Sequence, residues 1–288
     1  MTHASAEALR ALAEKHLSPE ASEAWTGLLR PAVRLSPASG ADPVVARLGG
    51  LPALPADVPW PEWAGHGPLS FVASVDCAAL PSDSLDIPFP SEGSLAFFYF
   101  DGSLDGGLAL VGPSEPGSED GSRVIHIPAS AAAFERPAPE GLTAYPEVPL
   151  TARRTHSAAQ SDHPLVAALF ADGAPSAVGY DHPVASEDFA DALWELEGDT
   201  CHAIGGYADP VQGPVELEIA KGALGEAVEW EDPAVYEEAG AWTLLAQFDT
   251  DDDADMMWGD AGVLYWLIRP TDLAELRFDR ARFTWQCA

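Results

Sequence analysis

Apolar residues recur at helical spacing near the start of the chain and in a few later segments; elsewhere short apolar runs are broken by Pro, Gly, Asp and Ser. Over residues 5–17, Leu9, Leu12, His16 and Leu17 fall on one helical face. Ser18-Pro19 then reads as an N-cap and first helical position, opening a second helix with Trp25, Leu28 and Leu29. From Pro31 onward the pattern predicts strands over 32–36, 69–76, 94–100, 108–111, 123–128, 243–249, 263–268 and 280–286. Helical spacing returns over 162–171 and over 186–197, where Gly198 stops it, with shorter helices starting at Asp232-Pro233 and Thr271-Asp272. SLAFFYF and VLYWLI are nearly continuous apolar runs, which predicts strands buried on both faces. In LSFVASVD, alternation puts Leu69, Phe71, Ala73 and Val75 on one face and Ser70, Ser74 and Asp76 on the other. RARFTWQC alternates in the same way, so the chain is expected to end inside a sheet. GPSEPGSEDGS, residues 112–122, reads as an exposed loop.

The order of these elements repeats. LGGLPALP at 48–55 is echoed by IGGYADPV at 204–211. LSFVASVD aligns without gaps on WTLLAQFD, placing Asp76 against Asp249 and Ser74 against Gln247, and GSLAFFY aligns on GVLYWLI. Solenoid repeats recur every 20–50 residues or so, far closer than this echo, so a duplicated α+β unit is the better explanation. The expected fold is α+β and β-rich: pseudo-duplicated units with mixed or antiparallel sheets and peripheral helices. Its organisation is one domain over 1–288, with N-terminal helices (1–30), a first half (31–135), a connecting segment (136–160) and a second half (161–288).

Charge narrows the partners. The 288 residues carry 46 Asp+Glu against 14 Lys+Arg, a formal charge of −32. Such a polyanion is unsuited to neutralising phosphates or to lying on an anionic membrane, so neither nucleic acid nor a membrane is expected as partner. No apolar run is long enough for a helical membrane span. Residues 187–260 hold 21 acids and one base, Lys221. That field would steer a basic protein toward the second half, although acidity also serves solubility and growth in salt. Cys77, Cys201 and Cys287 are too few and too widely spaced for a disulfide framework or a zinc site, and the N-terminus has no basic segment leading into an apolar run. Reduced thiols, a cytoplasmic location and a monomer are expected.

Catalytic signatures are sparse. The chain lacks GxSxG, HExxH, the P-loop and a GxGxxG between strand and helix. Its eight histidines read as structural or exposed. Gly49-Gly50 and Gly205-Gly206 are weighed as backbone anion cradles against tight turns, and the turns are preferred. Asp249, Asp251, Asp253, Asp255 and Asp260 imitate positions 1, 3, 5, 7 and 12 of a calcium loop, but Ala254 stands where the turn glycine belongs. Calcium or magnesium there is the alternative to a solvated acidic loop. Asp76, Asp249 and Asp260 form the alternative catalytic set, a carboxylate site between the halves. Trp60, Trp258, Asp260 and Gln247, with the two glycine pairs, complete the binding candidates.

The blocks LGGLPALPADVPWP, LSFVASVD, GSLAFFYF, IGGYADPVQG, WTLLAQFDTD and MMWGDAGVLYWLI, in this order, resemble the bacterial YwqG-like family from about residue 31 to the C-terminus. The resemblance implies an α+β architecture rich in β-structure, no assigned activity, and, through members encoded beside toxin genes, a link to toxin neutralisation. The residues themselves favour a protein-binding module that captures a basic protein over an enzyme. The alternative is a hydrolase-like or divalent-cation-binding protein using the carboxylates above.

Overall fold

The structure, a computed structural model, describes residues 4–171, 178–198, 202–225 and 227–288; Cys201 lies outside the described residues. Helices α1 (Ala6–His16) and α2 (Pro19–Thr26) start where the caps place them: Ser5 Oγ accepts from Ala8 N–H and Ser18 Oγ from Ala21 N–H. The strands follow as β1 (Arg30–Pro37), β2 (Ala46–Leu48), β3 (Ala53–Pro55), β4 (Glu62–Trp63), β5 (Gly67–Pro68), β6 (Ser70–Asp76), β7 (Ser94–Tyr99), β8 (Ser122–Ile127), β9 (Ala133–Glu135) and β10 (Val148–Ser157). Then come α3 (Pro164–Phe170), α4 (Glu187–Glu197), β11 (His202–Ile204), α5 (Val215–Leu224) and α6 (Pro233–Ala239). The chain closes with β12 (Thr243–Asp249), β13 (Val263–Ile268), α7 (Pro270–Ala274) and β14 (Arg282–Gln286). The architecture is a mixed α+β one.

One ten-stranded sheet dominates, in the order β14-β13-β12-β11-β1-β10-β2-β6-β7-β8, and every pairing in it is antiparallel. Strand β1 pairs along its whole length with β10 at the centre, from Arg30↔Ser157 to Pro37↔Leu150. Two wings extend from this pair: β2-β6-β7-β8 on one side and β11-β12-β13-β14 on the other. The sheet curls until the wings face each other. Phe97 of β7 meets Phe248 of β12 at 5.1 Å and Trp266 of β13 at 5.3 Å, both edge to face. Tyr99 stacks on Phe283 of β14 at 4.8 Å. As the continuous apolar runs predict, β7 from Leu95 onward and all of β13 are buried on both faces.

Three segments differ from the sequence expectation. The face assignment in β6 fails at a bulge: Phe71 pairs with Phe98 and Ala73 with Phe97, so the extra residue Val72 sends Phe71 and Ala73 to opposite faces. β12 has its own irregularity between Leu244 and Ala246, at the aligned position. Residues 108–111 form no strand; Leu108 and Leu110 are exposed in a turn-rich loop. Within the expected connecting segment, residues 148–157 form the long central strand β10.

Both glycine pairs follow the short strands β2 and β11 with positive φ, at 55° and 71° for Gly49 and Gly50 and 66° and 73° for Gly205 and Gly206. The amides of Gly49, Gly50 and Gly205 donate to the carbonyls of Val72, Tyr145 and Leu245, so these three are not turned toward a bound anion. A Cβ on Gly49 would lie 2.2 Å from the Pro146 carbonyl oxygen, whereas one on Gly40, also at positive φ, would meet nothing. Gly49→Ala is therefore expected to cost more than ~2 kcal/mol and Gly40→Ala only about 1 kcal/mol, compared by urea denaturation.

Candidate functional site

The outer faces of the two wings are finished differently. On the β12–β13 wing, α5 is laid over the sheet, with Val215 and Ile219 packed on Val263, Tyr265 and Leu267. Polar side chains fasten it: Glu218 accepts from Thr284 Oγ1 at 2.6 Å and from Gln286 Nε2 at 2.8 Å. Tyr265 donates to the Asp209 carbonyl at 2.8 Å, and Asp209 N–H donates to Gln247 Oε1 at 3.0 Å. On the β6–β7 wing the corresponding register positions carry Ser94 and Ala96 in place of Val263 and Tyr265, and Ser74 in place of Gln247. There the small side chains line an open groove of about 660 Å³ instead of a helix seat.

The rim of this groove is acidic. Asp76, Glu92, Glu135 and Glu147 line it with a single base, Arg47. Arg47 Nε sits 3.6 Å from Glu147 Oε1 with both side chains about half exposed, a pair worth little in stability. Asp76 Oδ1 accepts from Ala78 and Ala79 N–H at 2.9 and 3.2 Å, capping the turn that leaves β6. Among the described residues, Glu92 and Glu135 have no basic partner. Beneath the rim, burial and then the Asp76 charge push the Cys77 thiol up to about 12, so it is not a nucleophile at neutral pH.

The other sequence candidates are dispersed. Asp249 and Asp260 do not line the groove that contains Asp76. Asp249 closes β12; burial pushes its carboxyl up, while its carbonyl accepts from Trp258 Nε1 at 3.2 Å. Trp258 is buried, with its ring edge-on to Tyr99 and Tyr145. Trp60 packs edge-on against Phe98 and donates to the Leu69 carbonyl at 2.8 Å. Gln247 is buried under the loop after β11, and Asp260 is exposed, its carbonyl accepting from Ala288 N–H.

The aspartate-rich stretch folds as a tight hairpin, with Asp251 and Met256 exchanging backbone hydrogen bonds at 2.9 Å. Asp251 turns inward to accept from Ala254 N–H at 2.8 Å, while Asp252, Asp253 and Asp255 point outward. No three His, Cys, Asp or Glu side chains among the described residues are grouped to hold a metal ion.

Two buried His–carboxylate pairs escape sequence reasoning because their members are far apart in the chain. His202 accepts from Asp249 N–H through Nδ1 at 3.1 Å and faces Asp251 Oδ2 through Nε2 at 3.3 Å, which pins the hairpin to β11 and holds the Asp251 carboxyl below its usual range. His163 accepts from Leu165 N–H through Nδ1 at 3.1 Å and lies 3.6 Å from Glu216 Oε1, tying α3 to α5. Both are fully engaged in holding elements together. Arg34 and Glu197 form a half-buried polar unit, Arg34 Nη1 donating to the Glu197 carbonyl.

No curated protein matches the chain. Residues 46–287 match the family model described as Domain of unknown function (DUF1963), so the match begins at β2 and takes in both wings while leaving out the central strand β1. The chain belongs to the DUF1963 family.

Proposed function

We propose that this chain is a binding module, bacterial, cytoplasmic and YwqG-like, that captures a basic protein by seating a cationic amphipathic helix in the acidic groove of the β6–β7 wing. The observation that carries the reading is the contrast between the wings: α5 covers one outer face, while the same register positions on the other line a groove bordered by four carboxylates and one arginine. A partner helix with a small apolar face and basic flanks would meet Ser74 and Ala96 on the floor and Glu92 and Glu135 at the rim. The wider surface assists. Trp194 is exposed on α4 with the exposed Asp191 and Glu195 close by in the helix, an aromatic-in-acid position suited to a cationic partner. A basic toxin is one partner with this chemistry. The matching strand order, glycine pairs and bulge positions also support descent of the wings from one duplicated unit.

Calorimetry with a synthetic basic amphipathic helix tests the reading. Binding is expected at low salt, to weaken about tenfold or more between roughly 0.05 and 0.5 M NaCl, and to be lost in the Glu92→Lys/Glu135→Lys double variant. Affinity indifferent to salt and to the double variant, or no binding at low salt, would remove it.

A further inference from the structure

The curled sheet does not close. Its edge strands β8 and β14 meet across a cleft of about 410 Å³ lined from both wings. Val111, Ile219 and Phe283 give it apolar walls, and Gly112-Pro113 shuts one end by lying on α5, where a Cβ on Gly222 would strike Pro113 at 2.6 Å. Arg123, Arg280 and Arg282 also line it.

Their pairing is uneven. Arg123 holds Asp120 at 2.7 Å. Asp279 is taken in a two-pronged contact by Arg277, at 3.0 and 3.1 Å, which leaves Arg280 a distant 3.8 Å approach to the same carboxylate. Arg282 is exposed and has no acidic partner among the described residues, and the half-buried Ser122 hydroxyl, also in the lining, makes no hydrogen bond within them. Glu119 is the remaining carboxylate of the lining. Three guanidinium groups and three carboxylates thus line the cleft, a local balance in a chain where acids outnumber bases 46 to 14. Arginines gathered on an apolar-walled cleft, two of them without a close partner, suit a planar anion bound in a two-pronged manner. The mouth of a curled sheet is also a common place for a small ligand.

We infer that the seam between β8 and β14 binds a small organic anion, its carboxylate or phosphate held by Arg280 and Arg282 and its apolar body against Phe283 and Ile219. This site is independent of the acidic groove. Titration with phenyl phosphate, benzoate and inorganic phosphate, followed by calorimetry, tests it and separates the two anion types. At least one aromatic anion is expected to bind with one-to-one stoichiometry and more tightly than inorganic phosphate. Arg280→Ala/Arg282→Ala is expected to weaken that binding roughly tenfold or more, while Arg10→Ala, on the exposed face of α1, leaves it unchanged. Both altered arginines are exposed, so unchanged melting of the variant shows that it is folded. No heat with either aromatic anion, or equal affinity in wild type and the double variant, would overturn the assignment.

Discussion

Phe97→Ala is expected to destabilise the protein by about 3–5 kcal/mol, the range for emptying a fully enclosed aromatic site. Phe97 is wholly buried, and its ring is the place where the β6–β7 wing touches Phe248 and Trp266 of the opposite wing. Truncation removes the transfer free energy of the ring and leaves a cavity between two sheet faces, where strands paired to their neighbours on both sides cannot collapse to fill it. Phe134→Ala, on the exposed short strand β9, is expected to stay within about 0.5 kcal/mol of wild type. Urea denaturation of the two variants makes the comparison. A loss at Phe97 no greater than at Phe134 would mean that the wings do not pack on one another.

The Glu197→Gln variant is expected to be about 3 kcal/mol more stable than wild type near pH 8 and equal to it near pH 4.5. Glu197 is the last residue of α4; its carboxylate accepts from Ala158 N–H at 3.1 Å, and its carbonyl accepts from Arg34 Nη1. Burial, only partly offset by the Ala158 hydrogen bond and the Arg34 charge, pushes its carboxyl up to about 7 from an ordinary 4.5. A helix C-terminus adds its own disfavour to a negative charge. Because the folded state holds this proton more tightly than the unfolded state, the group's contribution is full below about pH 4.5 and is lost as pH rises through about 7. Glutamine keeps an acceptor for Ala158 and removes the charge. Subtracting the two stability profiles isolates the group from the chain's other carboxylates. Parallel profiles would show that Glu197 ionises freely.

Much of the sheet was readable where a strand is apolar along its whole length. β12 and β13 have the bounds that the apolar runs predict, and β6, β7 and β14 differ by one or two residues. The Ser18 cap was readable as well, since its hydroxyl acts locally on the Ala21 amide three residues ahead. The central strand β10 was not: VPLTARRTHS has Pro149, Arg153 and Arg154 where a buried strand should be apolar, and β1 and β2 supply the burial from elsewhere in the chain. Helix α5 was hidden because Gly222, a poor helix former, serves instead to admit Pro113. The Val72 bulge leaves no local mark, yet it decides which face of β6 looks into the core. The groove and the seam arise from the curl of the sheet, which strand patterns do not encode. Of the site candidates, only Asp76 lines the groove; the others cap turns, pack in the core or stand on the exposed hairpin.

Amide hydrogen exchange across the protein, with and without a saturating basic amphipathic helix, asks directly where a cationic partner sits. The account predicts slowed exchange confined to β2, β6, β7 and the 128–135 segment bordering the groove, in a pattern that disappears at high salt. Protection only on α4, α6 and the aspartate hairpin, with the β6–β7 face unchanged, would contradict it.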